Sequence, residues 1–465
     1  MTARIVVVGG GIAGLSAAFY ARRRGFSVTV LEGSKRFGGK LLRAEIAGVS
    51  TDLGAEALLA RRPEAVDLAR EVGLGGELVP PATTQAAVYS RGRLRPLPAG
   101  HVMGVPRNLR SLAATGIVPP TAVLRAAADL ILPPTPVGDD VSVARGIGIR
   151  LGRGVVDRLV EPLLGGVYAG RADRLSLRAT LPQLVDVLDR GSLLRGLRDL
   201  PPPGGTGPVF AGLPGGVARL GEALVDVLRA DGVELRTSAM VRVLRRTPTG
   251  WRCEVGPASA PEAVDADAVV VAVPAPAAAR MLGPEAGGLA AELAGIEYAS
   301  VAVVTLAFPA DQVNLPAGSG FLVPAVERRL VKAATFSSVK WPWYAGSDVA
   351  VVRCSIGRFG DTADLQRDDA ELVAGALADL AAIVGIRAQP IDSIVTRWAG
   401  ALPQYDVGHL ARVARIRSAA ARLPGFAFCG AAYDGVGIPA CIAGAQRAVA
   451  SLTGPRSASR AAGRE

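Results

Sequence analysis

Histidine is nearly missing from this chain. His101 and His409 are the only two in 465 residues, and they lie far apart. That leaves no material for a His-rich metal site and little for a Ser/His/Asp triad. Cysteine is almost as scarce: Cys253, Cys354, Cys429 and Cys441 are scattered and form no C-x-x-C. A disulfide framework and a cysteine metal site are therefore disfavoured, no metal is expected, and the four read as small buried hydrophobes. Nowhere do ~18 apolar residues run uninterrupted, so no transmembrane helix is expected. The first glycine motif begins at Gly9 and leaves no room for a cleaved leader, so the expected location is the cytoplasm.

Lysine is also rare, at positions 35, 40, 332 and 340 alone, although Lys and Arg together number 52 against 41 acidic residues. The excess charge of +11 is thus carried by arginine. It is dispersed, with no long basic tract and little aromatic interleaving, which argues against nucleic acid as a partner. A genome rich in Arg, Ala, Gly and Pro codons accounts for it, and an anionic substrate stays in reserve.

What the chain has in abundance is glycine and apolar sequence. Gly9, Gly11 and Gly14 follow an apolar run, Ile5 to Val8, and open a helix-like segment. A second apolar run, Val28 to Leu31, ends in Glu32. This strand–turn–helix–strand context is what a dinucleotide fingerprint requires: a tight turn, a close backbone approach for pyrophosphate, close helix packing, and a carboxylate for a ribose. Arg36-Phe37-Gly38-Gly39-Lys40 comes next, and an NAD domain does not need it. Near residue 434, Asp434-Gly435-Val436-Gly437-Ile438-Pro439 reads as a turn opening a helix, whose free N–H groups suit a flavin edge. Together the three elements favour FAD over NAD.

Length indicates two or three domains. A β-hairpin is expected around Arg91-Gly92, then helices at 109–115, 121–132, 151–161 and 181–189, and a loop at 201–209. The apolar run 268–279 reads as buried strand, 217–228 and 364–383 as helices, and 299–354 as β-rich.

Beyond these motifs, DLGAEALLARRPEAVDLAREVGLGGELV from Asp52, LRPLPAGHVMGVP from Leu94, EPLLGGVYAGRADRLSL from Glu161, LPQYDVGH from Leu402 and CGAAYDGVGIPACI from Cys429 make the chain resemble the FAD-dependent protoporphyrinogen/coproporphyrinogen III oxidase family over nearly its whole length. The segment ALLARRPE is similar to the bacterial coproporphyrinogen III branch. One departure is Ala55, where the family usually has proline. The resemblance implies an amine-oxidase-like α/β flavoprotein. Its FAD-binding Rossmann-like domain would be discontinuous (1–84, 208–282 and 420–454), with a helical insertion and pocket segment (85–207), an α+β substrate domain (283–419) and a disordered tail (455–465).

It also implies a noncovalent FAD held by Gly9, Gly11, Ile12, Ala13, Gly14, Glu32, Arg36, Gly38, Gly39, Lys40, Gly54, Ala55, Glu56, Val241, Gly430, Val436, Gly437 and Ile438. Arg61, Arg62, Gly166 and Tyr168 would border the substrate. The implied reaction is oxidation of coproporphyrinogen III, with oxygen as acceptor and hydrogen peroxide as product. No general base is assigned, and both histidines read as structural. Protoporphyrinogen oxidation, an amine oxidase or carotenoid desaturase on the same scaffold, and a flavin-bearing porphyrin carrier are the alternatives. Peripheral contact with the inner face of a membrane, through the helical insertion, and the oligomeric state stay open.

Overall fold

Strand β1 (Arg4–Val8) is buried from Ile5 onward, as a strand covered on both faces must be. Its β-branched run pairs in parallel with β2 (Ser27–Leu31) on one side and with strand 268–271 on the other. Strands 426–428 and 234–236 complete a five-stranded parallel sheet in the order 426–428, 268–271, β1, β2, 234–236. Helix α1 (Ile12–Arg23) connects β1 to β2, and the helix Ile438–Leu452 lies against α1. The structure, a computed structural model, describes residues 2–134, 136–200, 207–283 and 286–452. Most of the expected loop at 201–209 and all of the expected disordered tail lie outside these residues.

A seven-stranded mixed sheet forms the second layer, in the order 392–403, 298–309, 349–356, 331–336, 320–322, 87–90, 93–96. Its last two strands are the expected hairpin, turning through Arg91 and Gly92 at φ 56° and 75°. The hairpin hydrogen-bonds to strand 320–322, so it is integral to this sheet even though the helical segment follows it in sequence. Packing likewise crosses the expected divisions near 282 and 419: Leu289, Leu293, Val413 and Ile416 share one apolar cluster with Val6, Val8 and Leu31.

Two local expectations are corrected. Residues 275–281 are helix, not a continuation of the buried strand. Pro274 and Pro276 end the strand, and Ala277 to Ala279 favour helix over the β-branched choice. The expected helix at 151–161 is broken at Gly152 (φ 84°), and a further helix, Val143–Leu151, precedes it. Gly146 and Gly148 hide that helix from a propensity reading. The structure needs Gly146 small, because a Cβ there would stand 3.1 Å from Leu177.

The helices from 109 to 199 share a core of Leu, Val and Ile. Inside it sits one ion pair with no solvent exposure, Arg150 to Asp129 at 2.6 Å. Asp129 also accepts from the N–H groups of Leu193 and Leu194 and from Ser192 Oγ. Arg150 donates to the carbonyls of Asp129, Leu132 and Pro133. The pair therefore joins three helices through one satisfied network. Replacing Asp129 with alanine leaves a buried guanidinium and two helix N–H groups without their anion. Asp129→Ala is expected to lower stability by about 3–5 kcal/mol in urea denaturation. A loss below about 1 kcal/mol would show that the network is not what holds this layer.

Candidate functional site

The site is built where backbone passes backbone. Gly9 (φ 106°) donates its N–H to the Leu31 carbonyl at 2.8 Å, and a Cβ on Gly14 would come within 1.8 Å of the Gly9 carbonyl. The turn is therefore clamped onto the start of α1. Helix α1 begins at Ile12 with no side-chain cap and no acidic residue in its first turn. Its leading N–H groups and positive dipole end, with Ile12 and Ala13, are free to face an anion. A Cβ on Gly11 would meet only Gly39 Cα, at 3.8 Å. The space in front of the turn is thus open enough for a pyrophosphate, and the residues fit the group the motif implies.

The second glycine pair lies directly on the first cluster. Gly38 donates to the Gly10 carbonyl (2.8 Å) and bridges Gly11, and a Cβ on Gly39 would lie 3.0 Å from Gly11 Cα. Arg36 has a narrower role than expected. Its guanidinium donates to the carbonyls of Phe37, Gly39 and Leu41 and lies 6.0 Å from the Trp398 ring, so it staples its own loop. Glu32 accepts from Gly10 N–H (2.6 Å) and Ser34 N–H (2.8 Å), which holds its carboxylate beside the turn. Val241 opens a strand tied to the end of β2 by the N–H of Ala239 donating to the Glu32 carbonyl.

Lys40 joins the remaining segments. Its carbonyl accepts from Ala55 N–H at 3.1 Å, and a Cβ on Gly54 would stand 2.0 Å from it. Burial lowers the pKa of its ammonium, while Cys441 in the first turn of helix Ile438–Leu452 acts in the opposite sense. Gly430, Gly435 and Gly437, with φ of 129°, 126° and 116°, shape the turn that carries Val436 and Ile438 to that helix. Residues 9–14, 36–40, 54–55 and 430–441 thus converge. Burial pushes the Cys441 thiol up to about 11 and raises Cys429 as well. Neither is a thiolate near neutral pH, which leaves both poor candidates for a covalent flavin link.

Glu56 is committed to the protein. Its carboxylate pairs with Arg353 (2.8 Å) and Lys340 (3.5 Å) and accepts from Trp341 Nε1 and Ser337 Oγ. Burial alone would raise its pKa, but these partners hold it down at about 2. Arg353 also donates to the Gly54 carbonyl at 2.7 Å. Two residues away, Asp52 caps Val217 and Ala218, and burial raises it to about 6. Sequence reasoning missed Arg353, Lys340, Trp341 and Trp398, which are distant in the chain and carry no local signature. Trp398 Nε1 donates to the Leu53 carbonyl, and that indole covers Gly54.

Among the expected substrate residues, Arg61 is exposed and Arg62 pairs with Glu64, on the turn before helix 63–71. Gly166 and Tyr168 lie elsewhere, on helix 161–168 beside Leu322 and Tyr405. No hydrogen bond or ion pair among the described residues joins the two groups. Tyr405 links Tyr168 to the glycine turn: its ring is 5.5 Å from Tyr168, and its hydroxyl donates to the Ala431 carbonyl. His409 stacks on Tyr405 at 4.2 Å and is lowered to about 4 by burial. His101 Nδ1 accepts from Gly104 N–H, a local turn contact.

Residues 12–453 match the family described as flavin containing amine oxidoreductase. The coproporphyrinogen III oxidase of Mycobacterium tuberculosis (strain ATCC 25618 / H37Rv) is 40% identical over 453 residues, covering 96% of each chain. That of Bacillus subtilis (strain 168) is 33% identical over 452 residues, covering 94% of this chain and 95% of that one. A crystal structure from Exiguobacterium sp. 255-15, of a protein provisionally named a protoporphyrinogen oxidase, superposes with a TM-score of 0.86 at 33% identity. It covers 97% of this chain and 99% of that one.

Two predictions follow from the glycine and Glu56 geometry. Gly11→Val should fold, since its Cβ meets only ordinary contacts, yet its side chain fills the pyrophosphate path, so the purified protein should be colourless. Gly14→Val should fail earlier, as insoluble protein, because its Cβ collides with the Gly9 carbonyl. Full FAD occupancy in folded Gly11→Val protein would sink the site. For Glu56, a folded-state pKa below the ordinary 4.5 means that its ionic contribution is complete above pH 4.5 and is lost as pH falls toward about 2. The destabilisation caused by Glu56→Gln, measured in urea, should therefore be on the order of a few kcal/mol at pH 7 and should shrink between pH 5 and pH 3. A penalty independent of pH would refute the ionic role.

Proposed function

The chain belongs to the flavin containing amine oxidoreductase family, and on that footing we propose that it is an FAD-dependent oxidase converting coproporphyrinogen III to coproporphyrin III, a step of haem biosynthesis. The observation that carries the reading is similarity to named coproporphyrinogen III oxidases along nearly the whole of both chains. FAD is the family's flavin and fits the glycine cleft. The chemistry it supplies there is removal of hydride from a methylene bridge of the macrocycle, with oxygen as final acceptor and hydrogen peroxide as product.

The chain's own part is to hold and orient. Gly9, Gly11, Gly14, Gly38 and Gly39 give backbone room for the pyrophosphate, α1 offers its N–H groups, and Glu32 stands ready for the ribose. The helix opening at Ile438 would direct its dipole toward the flavin edge, and Lys40 would supply positive charge near the phosphates. The porphyrinogen gains aromatic stabilisation as it loses its ring protons, so no protein base is assigned. Tyr168 and Gly166 would form one wall of the substrate chamber.

Arg61 and Arg62 would meet substrate propionates. Arg61 is exposed, and among the described residues the Arg62 guanidinium pairs with Glu64 alone, so both side chains can turn toward a carboxylate. No helix of the described residues is long and apolar enough to cross a membrane. Leu124 and Ile131, at 76% and 86% exposure on the helical layer, are where contact with a lipid surface would occur.

Four propionates on coproporphyrinogen against two on protoporphyrinogen should make the cationic wall count for more with the former. Side-by-side kcat/KM values under air are expected to favour coproporphyrinogen III. Arg61→Gln combined with Arg62→Gln should raise KM for coproporphyrinogen by about 3–10-fold, with a smaller change for protoporphyrinogen. A clear preference for protoporphyrinogen would overturn the substrate assignment and leave the flavin oxidase standing.

A further inference from the structure

Lys332 is out of register. In the pairing of strands 331–336 and 349–356, Val331 lies opposite Ile356 and Ala333 opposite Ser355, so Lys332 is the extra residue of a β-bulge. A bulge re-aims the side chain it carries. This one is directed into an enclosed space between the sheet and helix 161–168, lined also by Arg358, Arg171, Glu161 and Gly165. Lys332 is only 8% exposed, and among the described residues its ammonium makes no hydrogen bond and no ion pair. Every other lysine is placed differently: Lys340 pairs with Glu56, Lys35 is exposed, and Lys40 lies at the glycine seam beside Cys441.

An unpaired ammonium is costly to bury. Burial first, and the neighbouring Arg358 second, bring the Lys332 pKa down to about 7. The nearby charges do not relieve it. Arg358 donates to the carbonyls of Val323 and Arg329, and Arg171 is exposed at the rim. Glu161 accepts from Ala172 N–H, and burial, with Asp157 and Asp173, raises its pKa. Besides Lys332, the lining carries Arg358, Arg171 and the Glu161 carboxylate, and Asp361, Asp364 and Asp379 act on Arg358 from outside it. About 30 Å³ of the cavity admits the centre of a water-sized group. That is two to three times what one water needs, so the cavity has room for a small polar group. Gly165 lines the cavity, and nothing lies within 4 Å of where its Cβ would be, so a side chain there would take up open space.

We propose that this cavity is a carboxylate-binding site, with Lys332 as its central cation and Arg358 and Arg171 beside it. The carboxylate comes either from a side chain of the macrocycle bound along helix 161–168 or from a small free acid. Only the first of these sources rests on the substrate reading above.

The four-lysine composition makes the test direct. FAD-loaded protein labelled with 13Cε-lysine gives four side-chain signals, and Lys332 is identified by its absence in Lys332→Gln. Should that variant not fold, elimination with Lys35→Arg, Lys40→Arg and Lys340→Arg identifies it. At pH 7.5 and constant ionic strength, sodium formate is expected to move the Lys332 signal saturably toward its ammonium position, with the ammonium fraction roughly doubling or more. Gly165→Val, which adds a side chain to the cavity lining, should abolish that response. Coproporphyrin III is then added. If it moves the Lys332 signal and blocks formate, the carboxylate is the macrocycle's. If it binds, as read by flavin fluorescence, and leaves Lys332 unmoved, the ligand is a free acid. If it fails to bind, the substrate reading is at fault and the site is judged on formate alone. No saturable response to formate, or an equal response to sulfate, overturns the proposal.

Discussion

The close passage of three backbones carries the rest of the site. Gly39 lies close on Gly11, Gly38 bonds to Gly10, and Lys40 lies on Gly54. Contact demands glycine at 14 and 54, where the backbone is not left-handed, while Gly9, Gly38 and Gly39 also have positive φ. The three segments all lie between residues 9 and 54, and their packing sets the first glycine turn, the second glycine pair and the backbone at Gly54 into one rigid unit. Arg36 then ties off that loop, and helix Ile438–Leu452 closes against α1.

The electrostatics follow the same seam. Glu56 and Arg353 are a buried pair whose partners come from strand 349–356 and residues 337–341, while Glu56 itself follows the Gly54 contact. Such pairs contribute little net stability compared with apolar packing, but breaking one is expensive. Their effect here is to fix how the antiparallel sheet meets the nucleotide-binding layer. Asp52 does related work four residues before Glu56, where its carboxylate holds the approach to helix 219–230.

Much of this was legible in the sequence, because the signals were local. The β1–α1–β2 unit, the hairpin at Arg91-Gly92 and the helix opening at Ile438 each announce themselves within a few residues through period, turn chemistry and proline or glycine placement. What was not legible depends on sequence separations of about 300 residues. Nothing near Glu56 says that Arg353 will meet it, and nothing near Gly54 announces Trp398. Helix 143–151 was missed for the opposite reason: its glycines depress propensity, and the neighbour that accounts for Gly146, Leu177, lies about 30 residues further on. The bulge at Lys332 is likewise invisible without the partner strand, since one slipped residue leaves no mark on composition.

The parallel sheet places strand 426–428 beside strand 268–271, which in turn pairs with β1, and helix 438–452 lies on α1. A nucleotide-binding layer that begins at residue 4 is therefore unfinished until more than four hundred further residues have been made. During synthesis, a delay on the order of tens of seconds separates the two ends. Through that interval the apolar face of strand 268–271 has an open edge and the phosphate-facing turn lacks its closing helix. Cofactor capture is thus a late event in the life of the chain, and the flavin's colour reports that both ends have met.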